Sequence, residues 1–265
     1  MTADADTPLT TTPMLRLRQV ALVAHELDPI VEDLRAVFGL EVGHRDPGVA
    51  TFGLVNAILP VGVEFIEIVA PTREGTAAGR QLDRRGGDGG YMVITQTDDH
   101  ARRRDRVADL GIRTVMELDE GDYRCMQLHP SDTGGSFLEI DWNEGGERHD
   151  GEWWPAGKDW RPAVRTDVVS AITAVEVEAS DPAKVAARWG EIIEREPHDG
   201  PNGLPVLSLD GSEVRFVPST GLPDGLSAME LVASDAPAAR AAAEARGLID
   251  DTGAIRICGV RFDLV

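Results

Sequence analysis

Gln19-Val-Ala-Leu-Val-Ala-His25-Glu-Leu-Asp28 is a short apolar strand that runs into an acidic turn, and the turn opens an amphipathic helix. The pattern recurs three times: Met92-Val-Ile-Thr-Gln-Thr-Asp98-Asp99, Ala174-Val-Glu-Val-Glu-Ala-Ser-Asp181 and Ala228-Met-Glu-Leu-Val-Ala-Ser-Asp235, each followed by a helical stretch. Each copy is one supersecondary unit that cannot bury its apolar face alone, so the copies must share a core with their neighbours. In the first copy Asp28-Pro29 reads as a capping carboxylate with proline at the first helical position. Ile30, Val31, Leu34, Val37 and Phe38 then recur at helical spacing as far as Gly39.

Three strands are expected to follow, around 50–53, 54–60 and 62–69. The same strand–helix–strand–strand–strand order is read from Met92 to Trp142, with strands near 113–118, 122–128 and 136–141. The polar stretch 144–162 has the glycine, proline and charge content of a linker. Its tryptophans Trp153, Trp154 and Trp160 are costly to leave in water, so it reads as a strap packed across a domain surface. The expected organisation is a disordered lead at 1–14, a domain at 15–142, a linker at 143–167 and a second domain at 168–265, with strands there at 204–211 and 212–218.

Composition bounds the function. The formal charge of −20, from 26 basic and 46 acidic residues, repels phosphate backbones and anionic bilayers and argues against nucleic-acid and membrane partners. Cys125 and Cys258 are too few for a disulfide framework and read as small core residues. The N-terminal stretch lacks the basic start and apolar run of a signal peptide, so the expected location is cytoplasmic.

Several segments carry a resemblance. LRQVALVAHELD looks like an opening strand, AILPVGVEFIEIVAP like the closing strands of a first module, GGDGGYMVITQTDD like the opening of a second, and LHPSDTGGSFLEID like its last turn and strand. Together they resemble the vicinal oxygen chelate superfamily, also called glyoxalase/bleomycin-resistance-like, and in particular its glyoxalase-like domain branch. The likeness is good over about 15–142 and weaker over 168–265. It implies an α+β fold: two vicinal oxygen chelate domains, each a pair of βαβββ modules forming an open, cup-shaped mixed sheet.

It also implies a site where the first and last strands of two modules converge. The first-strand positions are Gln19 and Met92, and the last-strand positions are Glu67 and Glu139. Gln19, Glu67 and Glu139 would be the ligands if a metal binds. Met92 stands where metal-dependent members have His, and a thioether suits hard cations poorly, so the cofactor expected is none or a weakly bound divalent metal. Thr51 and Phe52 lie where epimerase-like members place a catalytic glutamate, so a plain epimerase assignment fails at two places.

Glu139 and Glu67 are the candidate acid/base groups. Gln19, Asn56, Tyr91, Met92 and His129 are candidate substrate contacts, although Asn56 also suits a bulge or edge, Tyr91 a core position and His129 a turn brace. Arg80, Arg84 and Arg85 form a basic island, read first as a solvated helix face and second as an anion contact. The second pair of modules, with Ala174 and Ala228 at the first-strand positions and Arg215 and Asp263 at the last, reads as a scaffold or a separate apolar pocket. The activity implied is that of a lyase or isomerase acting on a small oxygenated metabolite. The alternative is a non-catalytic protein that sequesters a small molecule, and an extradiol dioxygenase ranks third. Partners are expected to be a small-molecule ligand and, as a candidate, a second copy of the chain.

Overall fold

The computed structural model describes residues 13–265, so the polar lead read at 1–14 lies, up to residue 12, outside the described residues. The elements of the first half are β1 (Leu15–Val23), α1 (Leu27–Phe38), β2 (Leu54–Val61), β3 (Glu64–Pro71), α2 (Ala77–Arg85), β4 (Gly89–Thr97), α3 (His100–Asp109), β5 (Thr114–Asp119), β6 (Tyr123–Leu128), α4 (Pro130–Thr133) and β7 (Phe137–Asn143). Those of the second half are β8 (Val169–Ala179), α5 (Pro182–Ile193), β9 (His198–Asp199), β10 (Pro205–Leu209), β11 (Ser212–Pro218), β12 (Gly225–Ala233), α6 (Ala236–Ala245), β13 (Ile255–Ile257) and β14 (Val260–Leu264). They build two seven-stranded mixed sheets, ordered β2-β3-β1-β4-β7-β6-β5 and β13-β14-β12-β8-β11-β10-β9.

In each sheet the first strands of two modules lie antiparallel at the centre, and each pairs in parallel with its own module's last strand. Helix starts follow the acidic turns. Asp99, Asp181 and Asp235 each accept a hydrogen bond from the backbone N–H three residues on, which satisfies one of the orphan donors at a helix start. The first copy differs. Its helix begins at Leu27 with Glu26 as an N-cap lacking a side-chain bond, so Asp28 sits inside the first turn, where it pairs with Arg45 at 3.2 Å.

The strand expected at 50–53 is instead part of a 3₁₀ helix over Pro47–Phe52. Asp46 caps it by accepting from Gly48 N–H at 2.8 Å, and Pro47 fixes the first turn. The edge partner of β2 shrinks to a single bridge between His44 and Ile58. Thr51 and Phe52 are exposed on that helix.

Period-2 alternation, shifted by one residue at a bulge between Leu17 and Gln19 of β1, sorts the central strands into two faces. Leu15, Leu17, Val20 and Leu22 face one continuous core that also holds Leu34 and Phe38 of α1 and Val175, Val177, Trp189 and Phe262 of the second half. Phe38 meets Phe262 with ring centroids 5.1 Å apart. The opposite, cup face of the first sheet carries Ala21, Val23, Phe65, Val69, Met92 and Ile94, and there Trp153, Ala156 and Trp160 pack on it. The strap therefore lies inside the first cup.

Candidate active site

The strand register brings four site positions into two equivalent pairs. Gln19 lies beside Phe65 and Ala21 beside Glu67, while Met92 lies beside Phe137 and Ile94 beside Glu139. Because β1 and β4 run antiparallel with Val20 opposite Val93, a local two-fold relates Gln19 to Met92 and Glu67 to Glu139. One carboxylate from each module thus reaches the same cup.

Glu67 is held by neutral donors. Gln19 Nε2 donates to Glu67 Oε2 at 2.8 Å, and Asn56 Nδ2 donates to Glu67 Oε1 at 2.7 Å. Both amides have a fixed direction. An indole N–H can only donate, and Trp153 Nε1 donates to Gln19 Oε1 at 2.8 Å, so the Gln19 NH₂ must face Glu67. In the same way the Asp46 backbone N–H donates to Asn56 Oδ1 at 2.8 Å. Burial raises the Glu67 pKa, and the two amide bonds oppose that rise.

Glu139 and Asp141 project from alternate positions of β7 and are buried. Burial first, and then the charge of Glu67, pushes Glu139 up to about 7. Burial and the neighbouring Glu139 push Asp141 well above the usual carboxylate range, while Tyr123 donates its hydroxyl to Asp141 Oδ2 at 2.7 Å. Cys125 lies opposite Asp141 on β6, and Gln127 lies opposite Glu139.

The strap is clasped by buried arginines that the sequence reading missed. Arg16 donates to the carbonyls of Gly146, Arg148 and His149, and Arg18 to those of His149 and Gly151. Arg18 also stacks over the rings of Phe65 and Trp153, at 5.4 and 5.6 Å from their centroids. The R-L-R alternation in Leu15–Gln19 carried this signal, since two arginines on one face of an otherwise apolar strand need buried acceptors.

Other candidates are placed elsewhere. Tyr91 is buried in the cup, its ring edge-on to Phe137 at 5.3 Å, and its hydroxyl is pushed up by burial. Met92 is buried in the same cluster. His129 caps α4 by accepting from Ser131 N–H at 3.2 Å, away from the cup carboxylates in the β6–α4 turn. Of the basic island, Arg80 is exposed, whereas Arg85 is buried and donates to the Pro223 carbonyl, and Arg84 reaches the Asp224 carbonyl at 3.3 Å. Arg85 ties the halves together, so the solvated-face reading fails for it, while Arg84 is exposed as that reading expects.

The second cup is not apolar. Arg215 pairs with Glu230 at 2.8 Å and with Glu213 at 2.6 Å, and Arg261 pairs with Glu176 at 2.6 Å and with Asp263 at 3.0 Å. Each arginine of one module's last strand thus neutralises a glutamate of the other module's first strand. The apolar-pocket reading weighed Ala174, Ala228, Arg215 and Asp263 and overlooked Glu176 and Glu230, each two residues beyond an alanine.

The glyoxalase-like domain model matches residues 20–193. The chain belongs to the glyoxalase-like domain family. A comparison with curated proteins gives no match. A hypothetical protein from Staphylococcus aureus is 13% identical over 95% of this chain and 100% of its own, with a TM-score of 0.64, a likeness of fold alone. A methylmalonyl-CoA epimerase from Streptomyces coelicolor, solved with 2-nitronate-propionyl-CoA, is 28% identical over 48% of this chain and 96% of its own, at a TM-score of 0.44. The Mycobacterium tuberculosis methylmalonyl-CoA epimerase is 24% identical over 48% of this chain and 87% of its own, at 0.43.

A cation placed between Gln19, Glu67 and Glu139 of this glyoxalase-like chain would have to displace existing bonds. Both Glu67 oxygens are taken by amide donors, Trp153 takes Gln19 Oε1, and Met92 offers a thioether. With the Gln19 oxygen turned to Trp153 and a thioether at Met92, this position offers a hard divalent ion fewer donors than the resemblance implies. Among the described residues, the donor atoms that do cluster belong to Cys125, Glu139 and Asp141, all within 4.8 Å of one another. No described helix is long and apolar enough to cross a membrane.

Proposed function

We propose that the chain is a lyase or isomerase of the glyoxalase-like family that moves a proton on a small oxygenated metabolite in the N-terminal cup. The observation that carries this reading is Glu67. It is the cup carboxylate that keeps partial exposure, and both of its oxygens are held by neutral amides instead of arginines. A carboxylate so held stays able to accept a proton, and burial lifts its pKa toward the range where a general base works at neutral pH.

Glu67 is the base in this reading, Glu139 faces it from the second module, and Gln19 and Asn56 act through Glu67 as positioning residues. Tyr91 and Met92 line the apolar side. Trp153, Ala156 and Trp160 occupy the cup face, which favours a small substrate. The division into a working half at 15–142, a linker at 143–167 and a scaffolding half at 168–265 belongs to the same proposal.

The test is carbon-acid exchange. The purified chain is incubated in D₂O with a panel of 2-hydroxy and 2-oxo carbonyl compounds and thiohemiacetals, and loss of the α-proton signal is followed by NMR. Glu67→Gln keeps the shape and removes the proton acceptor, so exchange should fall about 10²–10⁴-fold. If no compound exchanges with the wild-type chain but one shifts its melting temperature, the sequestering role replaces the catalytic one. Equal exchange by Glu67→Gln and wild type would remove Glu67 from the mechanism.

A further inference from the structure

Cys125, Glu139 and Asp141 present an electrostatic arrangement that the role of Glu67 does not explain. The three side chains are buried, two on β7 and one on the facing strand β6. Each carboxylate faces a neutral side chain on β6: Tyr123 donates to Asp141 Oδ2 at 2.7 Å, and Gln127 lies opposite Glu139 in the strand register. The remaining oxygens, Glu139 Oε2 and Asp141 Oδ1, have no partner. Two orphaned acceptors and a thiol, with donor atoms within 4.8 Å of one another, cannot satisfy each other as anions.

We infer that Cys125, Glu139 and Asp141 bind a divalent cation of borderline softness, zinc or cobalt. The site is displaced toward β6 and β7 from the Gln19–Glu67 position that the family resemblance implies. The donor chemistry sets the metal class. One thiolate with two carboxylates is too soft for magnesium or calcium and suits zinc or cobalt, and three protein donors are the number that catalytic zinc sites supply. An outer partner on β6 supports the site: Tyr123 holds one Asp141 oxygen, which restricts the rotation of that carboxylate and aims its free oxygen. Without a cation, burial pushes the Cys125 thiol and both carboxyls up, and the charge of Glu139 adds to the rise at Cys125 and Asp141. A bound divalent ion reverses that direction and releases protons. The inference shares Glu139 with the proposed active site but stands without it, because it concerns binding.

The experiment is a cobalt(II) titration of the full chain, purified without chelators and without substrate. One equivalent of cobalt should give a near-ultraviolet thiolate-to-cobalt charge-transfer band, with proton release in weak buffer. Cys125→Ser should abolish the band and Asp141→Asn should weaken binding at least about tenfold. Tyr123→Phe, which removes only the outer partner, should weaken it about 10–100-fold. Glu67→Gln should leave the band in place. Zinc should compete with cobalt and raise the melting temperature of the wild type. If Cys125→Ser does not fold, Tyr123→Phe carries the test. The inference is overturned if neither metal binds, or if the band survives Cys125→Ser. Because no substrate is present, loss of this site leaves the Glu67 exchange test standing, and failure of the exchange test leaves the metal titration standing.

Discussion

Trp153→Phe is the substitution that probes the first cup most sharply. The indole is fully buried and its N–H is the donor that fixes the Gln19 amide. Phenylalanine keeps an aromatic ring facing Phe65, whose centroid lies 6.5 Å from that of Trp153, but it strands Gln19 Oε1. Two responses are open. If Gln19 keeps its orientation, a buried amide oxygen loses its partner at about 1–3 kcal/mol. If the amide flips, its oxygen faces Glu67 Oε2 across what is now a 2.8 Å hydrogen bond, and Glu67 must take up a proton to avoid repulsion.

The lost ring volume adds to either cost, so a total of about 2–4 kcal/mol is expected, against about 3–5 kcal/mol for Trp153→Ala. Guanidinium unfolding followed by far-UV circular dichroism measures the change. The cycle with Gln19→Met isolates the hydrogen bond, because removing both partners together is less costly than stranding one. A coupling of about 1–2 kcal/mol is expected. A Trp153→Phe protein within about 0.5 kcal/mol of wild type, with strictly additive double-mutant behaviour, would refute the relay from Trp153 through Gln19 to Glu67.

Two further outcomes are expected. Arg18→Leu removes the donor that holds the His149 and Gly151 carbonyls, so limited proteolysis should cut the strap between 144 and 160 faster than in wild type, and an unchanged rate would show that Arg16 and the tryptophans suffice. Arg215→Met should lower stability at neutral pH and leave it little changed in acid. Arg215 holds the folded pKa of Glu230 below its ordinary value of 4.5, so that contribution is present above the unfolded value and is lost as pH falls through the folded one. Thermal unfolding from pH 3 to 7 should show a flatter acid limb in the variant, and parallel curves would argue against the pair.

The fold was legible because its signals are periodic and repeated. Gln19–Asp28 and its three copies carried strand, turn and helix in order, and three of the four acidic turns place an aspartate at the helix cap. The reading failed where local chemistry overrode pattern. GVATF at 48–52 has strand-forming residues, but Asp46-Pro47-Gly48 closes a capped turn ahead of them, and a 3₁₀ helix results. At the site, period-2 spacing placed Gln19, Met92, Glu67 and Glu139 on one face, because register needs only counting. The contacts of the strap were not countable. Nothing local in EWWPAGKDW says which sheet face receives Trp153, and the acceptors of Arg16 and Arg18 lie about 130 residues away. Asp141 was visible two residues beyond Glu139, but its significance depends on Cys125 of the neighbouring strand.

The two cups share a register and differ in how they settle their carboxylates, and that difference bears on where chemistry can occur. In the second cup Glu176 and Glu230 are each bound by an arginine across the local two-fold. An arginine partner favours the charged form and pins the side chain, so the Glu230 pKa is depressed and the group resists taking up a proton. In the first cup the arginines of β1 are turned toward strap carbonyls, and Glu67 receives only amide donors. Amides orient a carboxylate without supplying the opposing charge that would suppress its basicity. The strap thus has two effects on one residue: it draws Arg16 and Arg18 onto its own backbone, and through Trp153 it fixes the amide that aims at Glu67. In the proposed reading proton transfer therefore falls to the first cup, and the ion pairs of the second serve to join its own two modules.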